Sequence, residues 1–132
     1  MAHNWTPGTT ILAVDDDPLT LLLLRARLEL EGLRMLQASN GQEALDLLKT
    51  EHVDLVITDL MMPAMDGFRL IREIQELPQP TGYVPIIVLS VTHNEEDMVR
   101  CLSAGADDYL TKPLSPQILV EKLWRILQRS KV

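Results

Sequence analysis

The chain has 132 residues, enough for one domain with a sizeable core, and carries a net charge of −7. A hydrophobic fraction of 46% with only 4% aromatic residues makes that core aliphatic. The acidic balance argues against a nucleic-acid surface, which needs clustered Lys and Arg, and the single Cys101 excludes an intramolecular disulfide.

The N-terminus "MAHNWTPGTT" lacks the basic start and long apolar region of a signal peptide. Residues 1–9 are expected to be a flexible lead, with Pro7 and Gly8 marking the entry to a single domain over 10–130. The apolar run "ILAV" (11–14) predicts a first strand, which meets Asp15, Asp16, Asp17 and Pro18. A helix follows over about 18–31, with Asp17 as its N-cap and Pro18 at its first position. Leu19 to Leu24 is apolar almost all round, which predicts a helix packed against both a sheet and its neighbours. The leucine run from Leu21 is stopped by Arg25 and is too short to cross a bilayer. The expectation is therefore a soluble, cytoplasmic protein.

Beyond Gly32 the pattern repeats. "LRMLQA" (33–38), "VDLVIT" (53–58), "PIIVLS" (85–90) and "DYLT" (108–111) predict four more strands. Helices are expected over about 41–50, 67–77, 94–104 and 115–129. Asn40 with Glu43, and Thr92 with Glu95, have capping-box spacing. Asp66 stands as an N-cap before Gly67, and Gly105 where a C-terminal glycine belongs. Strict alternation of this kind predicts a doubly wound α/β fold, a parallel sheet with helices on both faces.

In an open parallel sheet, ligands bind outside the carboxyl ends of the strands. Strand 1 ends in Asp15 and Asp16, strand 3 in Asp59, strand 4 in Ser90 and Thr92, and strand 5 in Thr111 and Lys112. If strands 1 and 3 are neighbours, three carboxylates converge. Two unit charges ~4 Å apart cost on the order of 4 kcal/mol at an effective dielectric of ~20, so something positive must offset them. Lys112 and a bound divalent cation are the candidates. Hard oxygen ligands without His or Cys favour Mg2+ over zinc, and Mg2+ leaves positions for phosphate oxygens. A site with that ion, a lysine and a hydroxyl is equipped to hold a phosphoryl group, and a carboxylate within it can act as nucleophile.

Four motifs, "VDDDP", "ITDLMMPAMDG", "PIIVLS" and "ADDYLTKPL", occur in this order over residues 11–114. Together they resemble the receiver domain of two-component response regulators. The resemblance implies a flavodoxin-like (βα)5 sheet of order 2-1-3-4-5, with Asp59 as the aspartate that accepts phosphate. It implies that Asp15 and Asp16 organise Mg2+ together with Asp59 and the backbone carbonyl of Met61, Asp16 directly and Asp15 partly through water. Ser90 matches the switch hydroxyl, Tyr109 the aromatic switch position, and Lys112 the lysine that contacts the phosphoryl group. Lys112-Pro113 matches a cis peptide. The implied partners are a sensor histidine kinase or phosphotransfer protein and a downstream output domain or protein. Homodimerisation through helix 4, strand 5 and helix 5 is compatible with it. Such a domain is not a classical enzyme; it catalyses its own aspartyl phosphorylation and slow dephosphorylation. Val91 departs from the small residue usual after the switch hydroxyl and puts a β-branched side chain beside the site.

Two enzymatic or carrier functions share parts of this pattern. A metal-dependent phosphohydrolase needs an acid/base carboxylate two residues after the nucleophile, where this chain has Met61. A flavin carrier needs a hydroxyl- and glycine-rich loop after strand 1, where this chain has acids. A receiver that only binds partners is disfavoured by the intact Asp16, Asp59, Ser90 and Lys112. Met61, Met62 and Met65 are expected in loop packing, Cys101 as an inert, partly buried residue, and His3, His52 and His93 on the surface. Trp124 is either core-facing or part of an interaction face. The end of the chain after the last helix fits a stand-alone receiver and a piece of a longer regulator equally well.

Overall fold

The computed structural model describes residues 3–78 and 83–129. Its strands are β1 (Thr10–Val14), β2 (Arg34–Ala38), β3 (Leu55–Thr58), β4 (Ile86–Ser90) and β5 (Asp108–Thr111). Its helices are α1 (Pro18–Leu30), α2 (Gly41–Thr50), α3 (Gly67–Gln75), α4 (Glu95–Ala104) and α5 (Pro116–Arg129). All strand pairs are parallel, in the order β2-β1-β3-β4-β5. The expected doubly wound architecture is therefore present, and β1 and β3 are neighbours. Positions 1, 2 and 130, which the expected lead and domain boundaries include, lie outside the described residues.

The alternation of side chains along β1 builds two cores. Leu12 and Val14 point to one face, where they join buried residues of α2, α3 and α4, among them Leu45, Ile71 and Cys101. Ile11 and Ala13 point to the other, against Leu24 and Leu28 of α1 and Leu119 and Leu123 of α5. Because both faces are covered, the inner strands can be apolar at every position, as the run of buried residues in β1, β3 and β4 shows.

Helix boundaries follow local capping. Asp17 accepts a hydrogen bond from the Leu19 N–H at 3.0 Å, with Pro18 opening α1 as expected. Asn40 caps α2 through the Glu43 N–H, and the Glu43 carboxylate reaches back to the N–H and hydroxyl of Ser39. Those two donors hold the Glu43 carboxyl below the usual range. Asp66 caps α3 through the Arg69 N–H at 2.9 Å. At α4 the cap is Asn94, not Thr92: its side-chain oxygen accepts from the Glu96 N–H at 2.8 Å. Asn94 lies next to the first helical residue, where its short side chain reaches the free amides, whereas Thr92 is turned back toward β4.

The helical leucines differ from expectation. Only Leu21, Leu24 and Leu28 of α1 are buried; Leu22 is 62% exposed, and Leu19 and Leu23 also face solvent. A single apolar stripe suffices because α1 covers one face of the sheet and, among the described residues, nothing packs over its back. Cys101 is fully rather than partly buried, and burial pushes its thiol up to about 11. Met62 and Met65 are packed as expected, but Met61 is exposed. His52 and His93 are exposed, whereas His3 stacks on Trp124. Among the described residues, no helix is long and apolar enough to cross a membrane.

Candidate functional site

The ends of β1, β3 and β5 deliver Asp15, Asp16, Asp59 and Lys112 to one small volume. β1 and β3 run parallel in register, Val14 opposite Thr58, so the residues that follow them emerge side by side. The Asp59 N–H donates to the Val14 carbonyl at 2.9 Å, which extends the ladder by one step and fixes where the Asp59 side chain begins. Carboxylate oxygens of Asp15, Asp16 and Asp59 all lie within 4.8 Å of one another. Asp15 and Asp59 are buried and Asp16 is exposed.

Each buried carboxylate is oriented by named donors. Asp59 Oδ1 accepts from the Leu60 N–H at 2.7 Å and, at longer range, from the Met61 N–H at 3.4 Å. Asp15 Oδ1 accepts from the Asp17 N–H at 2.9 Å. Lys112 closes the site from the end of β5: its ammonium donates to Asp15 Oδ2 at 2.9 Å and to Asp59 Oδ2 at 3.5 Å. The Lys112 N–H is itself held by the Ser90 carbonyl at 2.8 Å, and Lys112-Pro113 is cis as expected.

The electrostatics follow from this packing. Burial raises the Asp15 carboxyl above the usual aspartate range, and the Asp59 charge adds to this, although Lys112 and the Asp17 N–H pull in the opposite direction. Burial acts to lower the Lys112 ammonium, but the two carboxylates outweigh it and hold it above the usual lysine range. Three carboxylates and one ammonium leave two negative charges, which a single divalent cation neutralises. The donor set is all oxygen, which suits Mg2+. Gly67 is part of the scaffold: a Cβ there would stand 2.7 Å from the Asp59 carbonyl oxygen and 2.8 Å from Leu60 Cα.

Ser90 ends β4 fully buried, and its Oγ accepts from the Thr92 N–H at 3.3 Å. Tyr109 is turned inward, and its hydroxyl donates to the Thr92 carbonyl at 2.9 Å. Both sequence-expected switch residues therefore meet on the β4–α4 loop. Val91 and Met61 are exposed, at 63% and 62%. What sequence reasoning missed is backbone: the amides of Leu60 and Asp17 and the carbonyl of Thr92 orient the site, and no residue type announces a main-chain partner.

Comparison with known proteins agrees with this geometry. The family model described as "Response regulator receiver domain" matches residues 11–124. A 14.6 kDa protein from the sodA1 3′ region of Leptolyngbya boryana, itself uncharacterized, is 47% identical over 110 residues, covering 83% of each chain. The alkaline phosphatase synthesis transcriptional regulatory protein PhoP of Bacillus subtilis is 38% identical over 122 residues, covering 92% of this chain and 50% of PhoP. The chain spans about half the length of several such relatives. Among solved structures, a putative response regulator from Chloroflexus aurantiacus superposes with a TM-score of 0.86 at 33% identity, covering 92% of this chain and 98% of that one. The receiver domain of the sensor histidine kinase PA1611 from Pseudomonas aeruginosa, which has a magnesium ion coordinated in its active-site cleft, superposes with a TM-score of 0.77 at 34% identity over 92% and 96% of the two chains. With the acidic pocket, the lysine and the strand order all in place, this chain belongs to the response-regulator receiver domain family.

Proposed function

We propose that this receiver, a single cytoplasmic domain over about residues 10–130, accepts a phosphoryl group on Asp59 from the phosphohistidine of a sensor kinase or phosphotransfer protein. The observation that carries this is the meeting of three carboxylates within 4.8 Å with the Lys112 ammonium 3.5 Å from Asp59. Mg2+ would be held by Asp16, Asp59 and the Met61 carbonyl, with Asp15 acting partly through water. When bound, the ion neutralises charge on the phosphoryl oxygens. The magnesium seen in the PA1611 receiver supports that choice of metal.

An oxygen of the Asp59 carboxylate attacks phosphorus as the bond to the donor imidazole nitrogen breaks, and the leaving imidazole takes up a proton. Phosphoryl transfer asks the protein for positioning and charge stabilisation rather than covalent help. The Leu60 N–H holds the nucleophile's orientation, and Lys112 is placed to follow the charge from carboxylate to phosphoryl oxygens. Exposed Leu19 and Leu23 border an apolar groove that reaches Lys112 and Pro113, a landing surface for the phosphodonor beside the acceptor. The Ser90 hydroxyl is expected to leave the Thr92 N–H for the new phosphoryl oxygens, and Tyr109 to follow, shifting the face built from α4, β5 and α5 between two populations. That face passes the signal to an output domain or protein, or to a second copy. The transcriptional regulators among the relatives support a separate output. The domain is not a classical enzyme, and its only turnover is slow loss of its own phosphoryl group.

The test is incubation with acetyl phosphate and Mg2+, read by intact mass. The wild type gains one acid-stable, base-labile phosphoryl group and Asp59→Asn gains none. Undiminished labelling of Asp59→Asn removes the assignment.

A further inference from the structure

The sheet begins at Thr10, yet the residues before it make a set of contacts that the sheet does not require. The protein has two tryptophans, and they touch: Trp5 meets Trp124 of α5 edge to face with ring centroids 5.2 Å apart. His3 stacks on the same indole at 4.6 Å with the planes 17° apart, and its Nε2 lies 2.8 Å from Glu121 Oε1, one turn earlier on α5. The Trp5 indole N–H donates to Glu31 Oε1, just past α1, at 3.3 Å. Glu31 is largely buried and also pairs with Arg27 at 3.5 Å. Trp5 packs in addition against the apolar core shared by α1 and α5. The segment then turns, with the Thr9 N–H and hydroxyl on the Thr6 carbonyl and Gly8 at φ +84°, before β1 starts.

The segment thus joins the end of α1 to the second half of α5. The opposite flank of α5 is tied to β5: Lys122 and Arg125 reach Asp108 at 2.7 and 3.5 Å, and Asp108 precedes the inward Tyr109. α5 is pinned on both sides, by β5 near the switch residues and by the N-terminal segment away from them.

We propose that residues 3–9 are a clasp that locks the second half of α5 to α1 and opposes the displacement of α5 that accompanies phosphorylation. Two π contacts and two polar contacts hold it, and each aromatic pair contributes beyond its buried area. The first half of the statement stands on these contacts alone, while the second rests on Asp59 being the phosphoacceptor. Receivers whose clasp is released should occupy the activated conformation more readily, because a state is populated according to what holds its competitor.

Amide hydrogen exchange of the full chain tests the clasp without any phosphoryl chemistry. In Trp5→Ala, residues 119–129 should exchange roughly threefold to tenfold faster, with β1 and β3 unchanged. His3→Ala should give a smaller acceleration in the same residues, and it keeps the test open if Trp5→Ala folds poorly. Equal acceleration in β1, β3 and α5 would reduce Trp5 to a general packing residue, and unchanged α5 exchange in both variants would remove the clasp. The second arm is Mg2+-dependent beryllofluoride binding, where half-saturation should fall roughly threefold in the clasp variant. An unchanged half-saturation with a loosened α5 refutes the coupling. Absence of any beryllofluoride response in wild type and variant alike strikes down the phosphoacceptor assignment and the coupling with it, while the exchange result still decides the clasp.

Discussion

Asp15→Asn, in the absence of metal, should stabilise the protein. In the folded state Asp15 is buried, 2.9 Å from Lys112 and within 4.8 Å of an oxygen of Asp59. At an effective dielectric of ~20, removing its charge forfeits roughly 6 kcal/mol of attraction to Lys112 and relieves roughly 3.5 kcal/mol of repulsion from Asp59. The Coulomb balance alone therefore costs roughly 2 kcal/mol. Against it stands the desolvation of a buried carboxylate, which amounts to several kcal/mol. Burial is the largest influence on the Asp15 carboxyl and raises it, so desolvation outweighs that Coulomb balance and Asp15→Asn should melt above the wild type.

The pH dependence has a definite sign. A carboxyl whose folded value is raised contributes stability below its unfolded value, about 4, and loses it as pH rises through the folded value. The gap between Asp15→Asn and wild type should therefore open from about pH 4 upward. Thermal melts in EDTA across that range measure it. Saturating Mg2+ should invert the comparison, since a ligand at ten times its Kd contributes about 1.4 kcal/mol, and the wild type keeps the better metal site. If Asp15→Asn melts below wild type in EDTA at neutral pH, the Lys112 contact outweighs desolvation and the electrostatic account of the site is wrong.

Three further outcomes can be checked. Asp17→Ala should cost about 1 kcal/mol by loss of the α1 cap and leave Mg2+ affinity intact, because the contact to Asp15 is made by the Asp17 backbone; Asp16→Asn should abolish Mg2+ binding, and titrations in which both lose it equally would erase that division of labour. Gly67→Ala should destabilise by about 2–3 kcal/mol in urea titration, since the new Cβ meets Asp59 and Leu60 backbone that cannot give way, and a cost under about half a kcal/mol would contradict that close approach. Cys101, fully buried with its thiol pushed up to about 11, should react with an aromatic disulfide reagent at pH 8 only as fast as the protein opens, so rapid native-state labelling would show that the α4 packing is wrong.

Much of the molecule follows from residue order alone. The period of the apolar runs, with Asp17-Pro18, Asn40 and Asp66 at helix starts, carries the alternation of strands and helices because capping and side-chain alternation are local. The strand-end list of Asp15, Asp16, Asp59, Ser90 and Lys112 was legible for the same reason: a parallel sheet sends every such position to one edge. Where two local signals competed, order was not enough. Thr92 and Asn94 both have cap chemistry, and the choice of Asn94 depends on how the loop leaves β4. The all-round apolar stretch of α1 looked buried because composition cannot say how many layers lie over a helix; here Leu19, Leu22 and Leu23 are exposed. His3 and Trp5 meet Trp124 across more than a hundred residues, and no spacing along the chain encodes that. The sequence determined which groups stand at the ends of strands and helices, since those depend on neighbours in the chain. Only the tertiary structure decided which of them are buried, and burial is what sets the charge balance at Asp15 and Lys112.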